Sequence, residues 1–288
     1  MNRRLFSVVG VLTLVAMSLL ACAAETVIHE RASGSGTIIV TESTDGLRTL
    51  LFERGGARQS IVKPGDPDHL ELQYARVAMV GLALCEGPRR ILVVGLGGGT
   101  LPSFLRKHYP EAWIDAVEID AEVVDVAKKF FGFREDARMR AHVDDGRRFI
   151  ENIRRPTYDA IFLDAFGGDS VPLHLTTREF LRAVRRALMP SGVVIGNIWD
   201  RPSNRLYDSM VRTYQEEFDE LFILDVFNDI NKILLALPRK QPLSQSELAL
   251  LARRVSSDGK FRFDLGDLVD YGFLHAREKN RNGRVLRD

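Results

Sequence analysis

From Thr26 to Ile61 hydrophobic and polar positions alternate with a period of two, interrupted by glycines and polar turns. Thr37–Thr41 and Arg48–Phe52 are predicted strands around a turn at Thr44-Asp45-Gly46, so the stretch reads as a small antiparallel β unit. Pro64-Gly65-Asp66-Pro67 then breaks the chain. Between Leu70 and Leu84 the apolar spacing changes to three and four (Leu72, Val77, Val80, Leu84), which predicts a helix.

After Pro88 short apolar runs alternate with helical stretches. Residues 91–94, 113–117, 160–163 and 193–195 are predicted strands; 101–107, 122–130 and 178–188 are predicted helices. Strands that are apolar throughout, separated by helices, imply a parallel sheet covered on both faces, an α/β fold. A last pair, 221–226 and 232–236, joined by Phe227–Asn231, suits an antiparallel hairpin closing that sheet.

The first residues stand apart from this pattern. Arg3 and Arg4 precede an uncharged run from Leu5 to Leu20, followed by Ala21-Cys22-Ala23-Ala24. A basic start, an apolar run and a small-residue exit describe a secretory signal. The run is shorter than the ~20 residues a membrane span needs. The ending resembles a bacterial lipobox, in which Cys22 is lipidated and becomes the mature N-terminus; ordinary cleavage near Ala23 or Ala24, or an uncleaved membrane anchor, are the alternatives. The expected organisation is a signal over 1–24, the β unit over 25–63, a nucleotide-binding domain over 64–274 and a solvated, partly disordered basic tail over 275–288. The expected address is exported, periplasmic or lipid-anchored to a membrane, or cytoplasmic if the segment is not a working signal.

Composition narrows the chemistry. With 45% hydrophobic and 27% charged residues in 288, the chain is an ordinary globule. Its 40 basic and 39 acidic residues leave a net charge of +1, so no global field recruits nucleic acid or an acidic membrane. Two cysteines, Cys22 and Cys85, make no disulfide framework or four-thiolate site, and no histidines fall at metal-ligand spacing. No metal is expected.

The strongest motif is Ile91-Leu92-Val93-Val94-Gly95-Leu96-Gly97-Gly98-Gly99-Thr100. A strand ends, glycines let the backbone turn tightly, and a helix follows. Thr100 stands where a dinucleotide fingerprint needs glycine. The G-x-G-x-G of Gly95, Gly97 and Gly99 is instead the spacing familiar from S-adenosylmethionine enzymes; a plain βα turn is the bland alternative. Glu118 ends the next strand, where an acid can accept both ribose hydroxyls of a nucleotide. Asp115 and Asp120 are plainer surface or cap residues. Asp145-Gly146 follows the third strand, where an acid meets an adenine amino group or caps a helix. Asp164 follows the fourth strand and is placed for proton or cation chemistry. The Gly167-Gly168 segment and Pro172 suit a loop that closes over substrate.

Together these motifs resemble the spermidine synthase (polyamine aminopropyltransferase) family, from the β unit ending near Gln59-Ser60 through Tyr74, the glycine turn, Val117-Glu118-Ile119-Asp120, Asp145-Gly146 and Leu163-Asp164 to the 172–176 loop. The resemblance implies an N-terminal β domain joined to a seven-stranded, methyltransferase-like Rossmann domain. It implies transfer of an aminopropyl group from decarboxylated S-adenosylmethionine to an amine. Gln59, Glu118 and Asp145 would then contact the nucleotide, and Tyr74 and Asp164 would orient and deprotonate the amine.

The chain departs from the family in four places. Arg76 replaces an acid after Tyr74. Gly98 replaces the Asp that holds the aminopropyl ammonium. The second acid of an Asp-x-x-Asp loop falls on Gly167, leaving Asp169, two residues on, to meet the substrate. The late hairpin lacks a Tyr-Pro-Gly signature. Three readings follow: aminopropyl transfer to a small amine, methyl transfer from intact S-adenosylmethionine (favoured by Gly98), or a non-catalytic nucleotide- or partner-binding domain. No tightly bound cofactor is expected, only the nucleotide as co-substrate. Nucleic acid is not an expected partner, a membrane is met only through the signal or lipid, and oligomeric state is left open, a homodimer included.

Overall fold

The computed structural model describes residues 25–34, 36–167 and 170–288. The signal-like segment with Cys22, and Gly168-Asp169, lie outside the described residues. Four strands open the chain: β1 (Thr26–Ser33), β2 (Gly36–Glu42), β3 (Arg48–Leu51) and β4 (Arg58–Val62). They form one antiparallel sheet in chain order. The two expected strands are its centre, and β1 and β4 flank them.

Next comes α1 (Gln73–Ala78), which tightens into 3-10 winding over Met79–Leu84. The single helix expected over this stretch is therefore split. Within the 3-10 stretch Gly81 packs directly against Ile195, where a Cβ would sit 2.3 Å from Cγ1.

The alternating part follows as β5 (Arg90–Val94), α2 (Thr100–His108), β6 (Trp113–Glu118), α3 (Ala121–Phe130), β7 (Met139–Val143), α4 (Gly146–Glu151), β8 (Tyr158–Leu163), α5 (Arg178–Ala187) and β9 (Leu188–Trp199). It ends with α6 (Tyr207–Glu217), β10 (Glu220–Asp225), β11 (Asn231–Leu237), α7 (Gln245–Asp258), α8 (Leu265–Tyr271) and β12 (Phe273–His275). The large sheet has the order β12-β10-β11-β9-β8-β5-β6-β7. Its β7, β6, β5, β8 and β9 run parallel, while β11, β10 and β12 close it antiparallel. The short β12 is an eighth strand added at the edge of the seven expected.

Both faces of the large sheet are apolar, which is why its strands read as unbroken hydrophobic runs. Ile91, Val93, Ile114, Ala116, Ala160 and Phe162 pack on one face. Leu92, Val94, Val117, Ile161 and Val194 pack on the other. A third cluster joins Ile38, Val40, Leu50 and Val62 of the small sheet to Val123, Val126 and Phe131 at α3. Because β5 lies between β6 and β8, the chain leaves it in opposite directions, and a crevice opens at the carboxyl ends of these strands.

The tail is a correction. It was expected to be solvated, yet Leu286 is buried, its N–H donates to Thr213 Oγ1 at 2.9 Å and its carbonyl accepts from Arg178 N at 2.8 Å. Asp288 pairs with Arg147. One apolar side chain in register with a groove outweighs the basic composition around it. No described helix is long and apolar enough to cross a membrane.

Candidate functional site

The period-two register of the strands builds the site. On the face carrying Ile91 and Val93, the next position, just past the end of β5, is Gly95. The same step leads from Ala116 to Glu118, from Phe162 to Asp164, from Ile195 to Asn197, and back along β11 from Ile233 to Asn231. All five line one cavity of about 440 Å³ at the crevice. The small sheet supplies Phe52, Arg58, Gln59 and Ser60 as a further wall, and α1 supplies Tyr74.

At the β5–β7 end the glycine turn is shaped first by protein contacts. Gly95 has φ +97°, and a Cβ there would lie 2.4 Å from the Asp164 carbonyl oxygen. Gly97 has φ +53°, and its Cβ would meet Ser60 Oγ at 2.8 Å. Ser60 Oγ accepts the Gly98 N–H at 2.9 Å, tying β4 to the turn. Gly146 and Gln59 also line the wall. Gly99 does not: it precedes α2 at φ +74° and faces Phe133.

Glu118 holds this turn from below. Its Oε2 accepts Leu96 N–H at 3.0 Å and its Oε1 accepts Asp120 N–H at 3.2 Å. Burial pushes its carboxyl above the ordinary range, and the backbone donors, Leu96 N–H first, pull it back. Asp145 caps α4 through Arg148 N–H at 2.9 Å and pairs with His174 Nε2 at 2.9 Å. Burial works to raise Asp145, but Arg148 N–H and His174 prevail and hold it below the usual carboxylate range. Asp120 caps α3 and also lines the cavity, while Asp115 pairs with His142 and Tyr158 away from it.

At the β8–β11 end a chain of side-chain hydrogen bonds crosses three strands. Asn231 Nδ2 donates to Asn197 Oδ1 at 2.7 Å, and Asn197 Nδ2 donates to Asp164 Oδ1 at 2.8 Å. Tyr74 OH donates to Asp164 Oδ2 at 3.2 Å. Burial raises the Asp164 carboxyl to about 6, opposed by the Asn197 and Tyr74 hydrogen bonds. Burial, then the neighbouring Asp164, push the Tyr74 phenol well above its ordinary value, so it stays a donor. A carboxylate so held can take a proton near neutral pH.

Two departures have structural consequences the sequence did not suggest. Arg76 puts no charge in the cavity: its Nε donates to the Leu70 carbonyl at 2.5 Å, and its guanidinium lies 5.8 Å from the Phe263 ring centre. Gly98 offers no room for an acid, because a Cβ there would meet Phe131 Cδ1 at 2.7 Å and Ser60 Cβ at 3.0 Å. Its side-chain direction leads into packed protein rather than the cavity, so glycine there says little about the charge of a ligand. Asp169 lies outside the described residues.

Sequence reasoning missed Ser60, His174, Asn197, Asn231, Asp229 and the Phe166–Trp199 pair, whose rings lie 5.6 Å apart in the wall. Asn197 carried a signal: it is an amide inside the apolar run 193–198, and a buried amide needs partners.

Similarity to known proteins follows the same layout. The spermine/spermidine synthase domain matches residues 72–222. A polyamine aminopropyltransferase of Vibrio vulnificus is 37% identical over 235 residues, 78% of either chain. The human eEF1A lysine and N-terminal methyltransferase is 34% identical over 202 residues, 64% of this chain and 29% of that longer protein. Among solved structures, a probable spermidine synthase from Corynebacterium glutamicum superposes with TM-score 0.73 at 21% identity, covering 90% of this chain and 96% of its own. Human methyltransferase-like protein 13 in complex with SAH superposes with TM-score 0.60 at 32% identity, covering 66% of this chain and 93% of its own. The domain match takes in Tyr74, the glycine turn, Glu118, Asp145 and Asp164, and on it and the Vibrio relative this chain belongs to the spermine/spermidine synthase family.

Proposed function

We propose that the protein is a transferase that moves an aminopropyl group from decarboxylated S-adenosylmethionine to a small amine. The observation that carries this is Asp164, fixed by Tyr74 and Asn197, with a carboxyl raised to about 6 and facing the same cavity as the glycine turn. The nucleotide would lie over Gly95–Gly97, with its ribose toward Glu118 and its adenine toward Asp145 and Gly146. The acceptor would enter at the β8–β11 end.

In the step, the amine nitrogen attacks the aminopropyl methylene carbon bonded to sulfur. The C–S bond breaks, its electron pair stays on sulfur, and methylthioadenosine leaves. The new N–C bond leaves an extra proton on nitrogen, which passes to an Asp164 carboxylate oxygen. Tyr74 and Asn197 hold that carboxylate in line, so orientation supplies much of the rate.

Incubating the protein with the decarboxylated nucleotide and an amine panel tests the reading. Amine-dependent release of methylthioadenosine is the expected result. The methyltransferase relatives favour a second reading, methyl transfer from intact S-adenosylmethionine. Release of S-adenosylhomocysteine from that nucleotide, with no methylthioadenosine from the other, would establish it instead. We further propose export, with cleavage before Cys22; intact-mass analysis of protein from its native host decides this.

A further inference from the structure

We propose that His174 is a positioning residue for the nucleotide base: from the loop before α5 it fixes the Asp145 carboxylate so that its remaining acceptor sites meet the adenine amino group. This rests on the nucleotide half of the proposed function, which aminopropyl and methyl transfer share.

The two oxygens of Asp145 are held from different elements. Oδ1 accepts Arg148 N–H at 2.9 Å from α4, and Oδ2 meets His174 Nε2 at 2.9 Å from the loop. A carboxylate only accepts, so Nε2 carries the hydrogen. The last torsion of an aspartate is broad by nature, and the helix cap alone secures one oxygen. His174 secures the other, and with it the plane of the group. Two of about four acceptor sites are then taken, and the others remain for a ligand.

His174 is itself set in place. It lies on a 3-10 turn, Leu173–Leu175, closed by Leu175 N–H to the Pro172 carbonyl at 2.9 Å and by Thr176 N–H to the Leu173 carbonyl at 3.0 Å. Arg147, two residues after Asp145, donates from Nη1 to the His174 carbonyl at 3.3 Å. The same guanidinium is anchored by Glu151 and by Asp288, each at 2.7 Å. The start of α4 therefore grips His174 twice, by its ring and by its backbone. The pair also faces the ligand space, since Asp145, Gly146, Pro172, His174 and Leu175 all line the cavity.

Adenine presents an amino hydrogen at position 6, where hypoxanthine presents an oxygen. A carboxylate held in one orientation accepts from the first and repels the second. One that is free to turn eases away from the oxygen and gains less from the amine. Selectivity for the base therefore depends on what holds the carboxylate as well as on the carboxylate itself.

Calorimetry on the full chain tests this with methylthioadenosine and methylthioinosine, which carries an oxygen in place of the amino group. The wild type should prefer the adenine nucleoside by about 10- to 100-fold, the scale of a hydrogen bond to a charged group. His174→Ala should shrink that ratio by about 3- to 10-fold, within the coupling found inside one hydrogen-bond network. His174→Gln, whose amide nitrogen reaches the position of Nε2, should restore most of it. An unchanged ratio in His174→Ala, including an equal loss of affinity for both nucleosides, would overturn the inference, because general damage to the loop does the same. A wild type that fails to bind methylthioadenosine would instead overturn the nucleotide site itself, and the inference with it.

Discussion

The two ends of the cavity are built by different means. The β5–β7 end is local: a strand, a glycine turn and a helix, repeated with acids at the strand ends, each within a few residues of the next. Even there, Glu118 is engaged by the backbone of the turn it supports. The β8–β11 end is assembled at long range. Tyr74, Asp164, Asn197 and Asn231 come from four separate elements and meet only through the fold. Such a network polarises and fixes its members together, and losing one partner strands the rest. The first end is therefore expected to govern affinity for the nucleotide, and the second the rate and the choice of acceptor.

The sharpest test of that division is Asp164→Asn. It removes the proton acceptor while an amide can still accept from Asn197, so the turnover rate should fall by about 10²–10⁴-fold with little change in nucleotide affinity. Single-turnover kinetics and calorimetry check the two quantities separately. A parallel loss of affinity would dissolve the distinction between the ends.

Glu118→Ala should do the reverse. Loss of a buried carboxylate should weaken nucleotide binding by about 1.5–3 kcal/mol, read by calorimetry, and slow turnover at saturation far less. Gly98→Asp should cost stability instead of switching the preferred nucleotide. Overpacking against Phe131 and Ser60 should cost about 1–3 kcal/mol, measured as a lower denaturant midpoint. A well-folded Gly98→Asp protein with reversed nucleotide preference would place that side chain in the cavity after all.

The smallest expected effect is a pH displacement. With Asp164 raised to about 6, the proton acceptor is filled below that pH, so the rate should climb through about 6 and level off above it. Asn197→Leu removes the hydrogen bond that favours the ionised form, so the acid limb should move to higher pH by about half a unit to one unit. A limb that stays in place would mean that Asn197 acts on structure alone.

How much of this was legible in the sequence follows the same line. The alternation of apolar runs and helical spacing revealed the Rossmann sheet, because strands buried on both faces must be hydrophobic throughout. The glycine turn, Glu118 and Asp145 were legible because their spacing along the chain is their geometry. Asn231 and Asp229 were not, since nothing in the hairpin says which strand it will lie beside. Arg76 and Gly98 misled for a related reason. Motif comparison records which residue stands at a position, while the fold decides where its side chain goes: Arg76 to Leu70 and Phe263, and the vector at Gly98 into Phe131. The basic tail misled through composition, which carries no trace of the groove that takes Leu286.

The hydrogen bond from Gly98 N–H to Ser60 Oγ joins the small sheet to the large domain at the floor of the cavity. That amide is buried, so its exchange with solvent is expected to require the small sheet to lift away. A nucleotide that bound only the closed form would suppress that opening by mass action. The Gly98 amide thus acts as a built-in clock for the seam, and its exchange rate would report how often this wall of the cavity opens.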